Sequence, residues 1–131
     1  MVRYIWRLFK KKRVRRKRIS AEYIKYKTEA YRIAIERIAE FNKVYNFNIG
    51  KITIRNQKTR WGSCSKRGNI NFNYRIANIP ERLSDYVIVH ELCHLGEFNH
   101  SKDFWNLVEK TIPDYVERRK ELMNISKAVI K

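Results

Sequence analysis

The stretch that decides the fold is His90-Glu91-Leu92-Cys93-His94-Leu95-Gly96-Glu97-Phe98-Asn99-His100, which holds all three histidines of a 131-residue chain. On a helix His90 and His94 lie one turn apart on one face, where two imidazoles can share a cation, and Glu91 sits beside them within reach of a bound water. The third histidine follows His94 by six residues, so the chain has to leave the helix and turn back. Gly96 is the residue expected to provide that exit in a left-handed conformation. His90, His94 and His100 are therefore the expected metal ligands and Glu91 the expected general base, with Glu97 the weaker alternative to His100. Cys93, between the two helical histidines, is expected to point into the core.

Upstream of this stretch, Pro80 suits the first turn of a helix, and Leu83, Tyr86, Val87, His90 and His94 recur at spacings of three and four. A central helix over 80–95 follows, and its apolar run VIVHELCHL suits a helix crossing the core beneath a cleft. Downstream, Ser101 is an N-cap for a helix opening at Lys102, with Asp103 in its first turn. Pro113 opens a last helix from Asp114 to about Ile125, after which SKAVIK is expected to fray.

The alternating, β-branched segment Ile49–Arg55 reads as a strand, as does Gly68–Tyr74, in which Ile70, Phe72 and Tyr74 alternate with asparagines. Thr59-Arg60-Trp61 can begin a further strand. Together they predict an antiparallel sheet of two or three strands. Asn71 and Asn73 on its other face leave two readings open, an ordinary edge face or a strand beside the site that offers its backbone to an extended peptide. Before the sheet, Ser20 is a candidate N-cap for one long helix, Glu22 to about Tyr45, whose apolar stripe is Ile24, Thr28, Tyr31, Ile35, Ile38 and Phe41.

Charge divides the chain unevenly. The formal net charge is +17, with 30 Lys and Arg against 13 acids, yet residues 1–20 hold ten basic residues and no acid, leaving +7 for the remainder. Such an excess forecasts contact with polyanions. Residues 1–19 are read as a basic arm, either strand or helix, that is either a merely solubilising edge or a nucleic-acid-binding segment in which Lys10, Lys11, Lys12, Arg13, Arg15, Arg16, Lys17 and Arg18 are candidate DNA or RNA contacts. Ile5, Trp6, Leu8 and Phe9 beside that run would also suit an anionic bilayer surface. Residues 20–131 form the remaining domain. Two cysteines, no signal-like segment and no uncharged stretch of spanning length point to a cytoplasmic chain without a transmembrane helix.

Neutral imidazoles suit zinc, and three of them leave a fourth position for water, whose proton a neighbouring carboxylate can take. The chemistry expected is zinc-dependent hydrolysis, first of peptide bonds. A phosphoester or nucleotide substrate is the alternative that a basic surface favours, and a nucleic-acid-binding protein with an inactive zinc site is the third reading.

Thr59-Arg60-Trp61-Gly62-Ser63-Cys64-Ser65, Gly68–Asn73, Pro80, Asp85-Tyr86-Val87, His90–Leu95 and Asn99-His100-Ser101 with Phe104-Trp105 resemble the YgjP-like metallopeptidase domain, a WLM-related group of zinc-dependent hydrolases. The resemblance spans about residues 20–122. It implies an α+β fold with a small zincin core of minimal gluzincin-like type, zinc on His90, His94 and His100, and a catalytic Glu91. It also places the Trp61–Cys64 loop on the active-site side, making Arg60, Trp61, Ser63, Cys64, Asn71 and Asn73 candidate substrate-side or supporting residues. More distantly the chain is similar to SprT-type proteases, which cut proteins crosslinked to DNA. The family commonly has a longer β-rich region before the long helix, so the basic segment here makes an oligomer or a nucleic-acid-assisted assembly an expectation.

Overall fold

The structure, a computed structural model, describes the backbone of residues 2–129 and the side chains of residues 21–128. Helix α1 (Val2–Tyr45) is followed by strands β1 (Ile52–Arg55), β2 (Gly62–Cys64) and β3 (Ile70–Asn73). A 3-10 turn (Tyr74–Asn78) then leads into helices α2 (Glu81–Cys93), α3 (Lys102–Thr111) and α4 (Tyr115–Val129). The expected α+β class holds. None of the described helices is long and apolar enough to cross a membrane.

The basic segment is helical and continuous with the long helix, so Ser20 lies inside α1 and is not its cap. A run with neither glycine nor proline gives the helix no reason to stop there. The contact roles expected of Lys10 to Arg18 fall on side chains outside the described residues. Asn46 ends α1 in the left-handed conformation (φ 57°), and the Asn42 side chain captures Phe47, accepting from its N–H at 2.9 Å and donating to its carbonyl at 3.0 Å.

The buried face of α1 is rotated from the expected stripe. Ala30, Ala34 and Ile38 are buried, flanked by Tyr23, Tyr26, Ile33, Phe41 and Tyr45, while Ile24 is 67% and Tyr31 48% exposed. The small alanines allow close approach to the core, and Tyr23 and Tyr45 bury their rings with their hydroxyls hydrogen-bonded. Tyr23 donates to the Ile54 carbonyl at 2.8 Å, and the Tyr45 hydroxyl bonds Leu107 and Thr111 of α3.

Three strands form as expected, but the sheet is mixed, in the order β1-β3-β2. β2 and β3 are antiparallel, pairing Gly62 with Phe72 and Cys64 with Ile70. β1 lies parallel to β3 on its other side, with Ile54 opposite Phe72. The reason is the link 56–61, which carries the chain back past β3 before β2 begins. Buried Asn73 secures that link by donating to the carbonyls of Gln57 and Arg60 at 2.8 and 3.1 Å, while its Oδ1 accepts from Arg75 N. The central position of β3 removes the pairing role expected near Asn71 and Asn73, because both edges of that strand are occupied.

Ile54, Ile70 and Phe72 join Leu83, Val87 and Ile88 of α2 in one core. Pro80 caps α2 from just outside, its carbonyl accepting from the N–H groups of Leu83 and Ser84. α2 is buried almost all round, as a helix enclosed by a sheet and other helices must be. Beyond Cys93 the chain turns, but Gly96 does not take the left-handed conformation. Its requirement is space: a Cβ there would lie 2.8 Å from Phe47 Cζ and 2.9 Å from Leu107 Cδ1. Ser101 caps α3 as expected, accepting from Phe104 N at 3.5 Å. α4 runs past the expected end at Ile125, through Val129, and Ser126 packs inward, donating to the Leu122 carbonyl at 2.7 Å.

Candidate metal centre and the cleft beside it

His90 projects from α2 and His94 from the C-cap position at its end, and the turn before α3 brings His100 back to them. One ring nitrogen from each lies within 4.8 Å of the others. His94 Nδ1 lies 3.0 Å from the Glu97 carbonyl, a backbone acceptor that requires the proton on Nδ1 and leaves Nε2 with its lone pair. His90 Nδ1 lies 3.3 Å from Glu91 Oε1, which fixes the same tautomer. His90 Nε2 then faces His100 Nε2 at 3.2 Å. Two imidazole lone pairs at that separation need a shared proton or a cation between them, so the donor set fits a metal ion of zinc type. Glu97 contributes its carbonyl to this arrangement and stands outside the cluster.

Burial tunes the same set. It lowers the pKa of His94, and the pKa of His100 falls through burial and the neighbouring histidines. Both rings are thus held toward the neutral form that binds metal. Phe104 and Trp105 wall the site, with Phe104 stacked against His94 at 4.4 Å and Trp105 on His100 at 6.0 Å.

Glu91 is 5% exposed, and its Oε2 has no hydrogen-bond partner among the described residues. A buried carboxylate oxygen without a partner is costly, and a water or ligand at the site would satisfy it. Glu91 lies against β2, where a Cβ on Gly62 would come within 2.9 Å of Glu91 Cγ.

Beside Glu91 is a cavity of about 260 Å³ whose walls come from the link before β2, from α2 and from α4. Arg60 and Trp61 line it together with His90 and Glu91. Ser63 and Asn71 instead pair with each other across the sheet at 3.2 Å, and Asn73 is fully buried as the latch of the 56–61 link. Cys64 is half-buried, its thiol pushed up to about 11 by burial and by the Glu91 charge, and it lies outside the histidine cluster. Cys93 is fully buried in the core.

Sequence reasoning missed Arg119, Leu122, Met123 and Ser126, all of which line this cavity, and gave no individual role to Gly62, Tyr86 or Val87, which line it too. Burial pushes the Tyr86 phenol up to about 12. A second cleft of about 350 Å³ is lined by His90, His100, Trp105 and Arg119. His90 and Arg119 are thus common to both spaces. The α4 residues carry no motif, and only the turn between α3 and α4 brings them here.

The family described as YgjP-like, metallopeptidase domain, matches residues 3–125. No curated protein matches the chain. Among solved structures, the metallopeptidase zymogen abylysin of Pyrococcus abyssi superposes with a TM-score of 0.66 at 26% identity, covering 72% of this chain and 95% of that one. The metallopeptidase zymogen jannalysin of Methanocaldococcus jannaschii gives 0.60 at 26% identity, covering 73% and 97%.

Proposed function

The chain belongs to the YgjP-like metallopeptidase family, and from that membership we propose that it hydrolyses peptide bonds with zinc on His90, His94 and His100 and with Glu91 as general base. The observation that carries this reading is the convergence of three lone-pair-bearing imidazoles beside a buried, unpartnered carboxylate oxygen.

Bound zinc would supply a lowered water pKa and a polarised carbonyl. The Glu91 carboxylate accepts the proton of the attacking water and returns it to the leaving amine nitrogen. Phe104 packs on the His94 ring and Trp105 on the His100 ring, which orients them, and the Glu97 carbonyl keeps the His94 tautomer fixed. With both edges of β3 occupied, the outer edge of β2 is the terminal edge on the side of the site that a substrate backbone could join, and Gly62 places that strand against Glu91.

Arg60 and Arg119 at the cleft would also attract a phosphoester. The cavity walls are largely apolar, and the similar structures are metallopeptidases, so the peptide reading is preferred. The ten basic residues of 1–20 support recruitment of substrate on a polyanion such as DNA or RNA.

The deciding experiment compares the zinc-loaded chain with Glu91→Gln on unfolded protein, nucleotides and DNA, with metal content measured in parallel. The reading requires proteolysis by the wild type and equal metal content in both proteins. It also requires at least a roughly hundredfold loss of turnover in the variant. Full proteolysis by Glu91→Gln would end it.

A further inference from the structure

The guanidinium groups of Arg60 and Arg119 border the cavity beside Glu91, and neither forms an ion pair among the described residues. Both residues are exposed. Arg119 is not free to wander, however. Its guanidinium lies over the Trp105 ring at 5.4 Å, and Trp105 is itself stacked on Tyr115 at 5.0 Å with an interplanar angle of 13°. A planar fork held at the junction of two clefts, with no carboxylate of its own, is organised to receive one in a bidentate pair.

The interior of the cavity has the opposite character. Tyr86 and Val87 of α2, Leu122 and Met123 of α4, and the Trp61 ring give it an apolar lining. The Trp61 indole N–H donates to Ser126 Oγ at 2.7 Å, tying the link before β2 to α4. Ser126 donates in turn to the Leu122 carbonyl, so that wall is closed by a hydrogen-bonded chain. At about 260 Å³ the space falls below the roughly 300–1,000 Å³ of pockets that take drug-sized ligands. It has room for one large apolar side chain, and it opens toward the exposed guanidinium groups of Arg60 and Arg119.

We propose that this cavity receives the C-terminal residue of a peptide, its apolar side chain inside and its free α-carboxylate on Arg119 with help from Arg60, which makes the protein a carboxypeptidase for apolar C-termini. This deepens, and rests on, the peptide-hydrolysis reading of the three-histidine site. Water oxygen adds to the carbonyl carbon of the penultimate residue, and the bond from that carbon to the terminal nitrogen breaks. Glu91 carries the proton from the water to that nitrogen. One free amino acid leaves, and the shortened peptide keeps the new carboxylate.

The test uses the zinc-loaded full chain and N-acetylated tripeptides ending in leucine or phenylalanine, each as the free acid and as the C-terminal amide. The acids should be cleaved with kcat/KM at least about tenfold above the amides, the gain of a bidentate pair on an arginine that is itself exposed. Arg119→Gln should raise KM for the acids at least about tenfold and erase most of that preference, Arg60→Gln should do so more weakly, and added guanidinium should partly restore Arg119→Gln. Equal cleavage of acids and amides overturns the proposal, as does an unchanged KM in Arg119→Gln.

A binding arm separates this proposal from the reading beneath it. In the Glu91→Gln protein, N-acetyl-leucine should bind more tightly than N-acetyl-leucinamide, and Arg119→Gln added to that background should abolish the difference. Equal binding of the two overturns the carboxylate site whatever the proteolysis shows. Absence of any cleavage beside selective acid binding removes the hydrolytic reading and leaves the carboxylate-binding site in place.

Discussion

Gly62 and Glu91 meet where the sheet edge rests on the central helix: a Cβ on Gly62 would lie 2.9 Å from Glu91 Cγ and 2.9 Å from the backbone oxygen of Asn71. The second of those neighbours is main chain and cannot swing aside. Gly62→Ala should therefore lift β2 away from α2 at a cost of about 1–3 kcal/mol. Turnover should fall at least about tenfold as the carboxylate shifts, since misplacement by an ångström costs about that or more. Metal content should stay at the wild-type level. Urea unfolding, kinetics and metal analysis on one preparation check all three.

Asn73 is fully buried, and its amide satisfies two carbonyls and one N–H of the chain around the 56–61 link. Asn73→Ala strands those groups and should cost about 2–4 kcal/mol. Asn73→Asp should be no better, because a carboxylate cannot donate to the Gln57 and Arg60 carbonyls. Denaturant midpoints measure the loss. A Ser63→Ala control, which removes one partly exposed hydrogen bond, should move the midpoint far less.

Arg37 holds α1 to α2 through Asp85, its Nε and Nη2 donating to the two carboxylate oxygens at 2.8 and 3.2 Å. The Asp85 side chain is 12% exposed, so it is left unpaired in a largely dry place when Arg37 is removed. Arg37→Met should cost about 1–3 kcal/mol, and Arg37→Met with Asp85→Leu should recover part of it. A double-mutant cycle in urea reads the coupling. By contrast, the exposed ladder of Glu29 and Glu36 with Arg32 should contribute little, and less in high salt.

Stripping the metal should loosen the molecule around His100. At a free zinc concentration a hundred times its dissociation constant, the gain in stability should be about 2.7 kcal/mol. Chelator should lower the thermal midpoint and restored zinc should raise it again. His94→Ala should be insensitive to both additions. A midpoint that ignores zinc in the wild type would contradict the metal assignment.

The three histidines were legible from sequence because metal binding demands particular atoms at particular spacings, and no other histidine competes. Ser101 as a cap and α2 as the core helix were legible for a similar local reason. The parallel pairing of β1 with β3 was not, since it depends on how the 56–61 link folds, and that is set by Asn73 from a distance. The face of α1 was misjudged because Ile24 and Tyr31 look more apolar than Ala30 and Ala34, while close approach favours the smaller residues. Arg119, Met123 and Ser126 gave no signal at all, as nothing in RRKELMNIS marks a cleft wall.

Two of the three imidazoles stand on a helix that the core immobilises, whereas His100 stands on an exposed turn whose next residue caps α3. His90 and His94 would supply two donors held by α2 and its end, and His100 the third, from the more exposed turn. A chelator competing for the ion should meet that turn first. The off-rate would then be governed by how firmly Ser101 and the Trp105 stack hold the turn down, and much less by the helix that carries the motif.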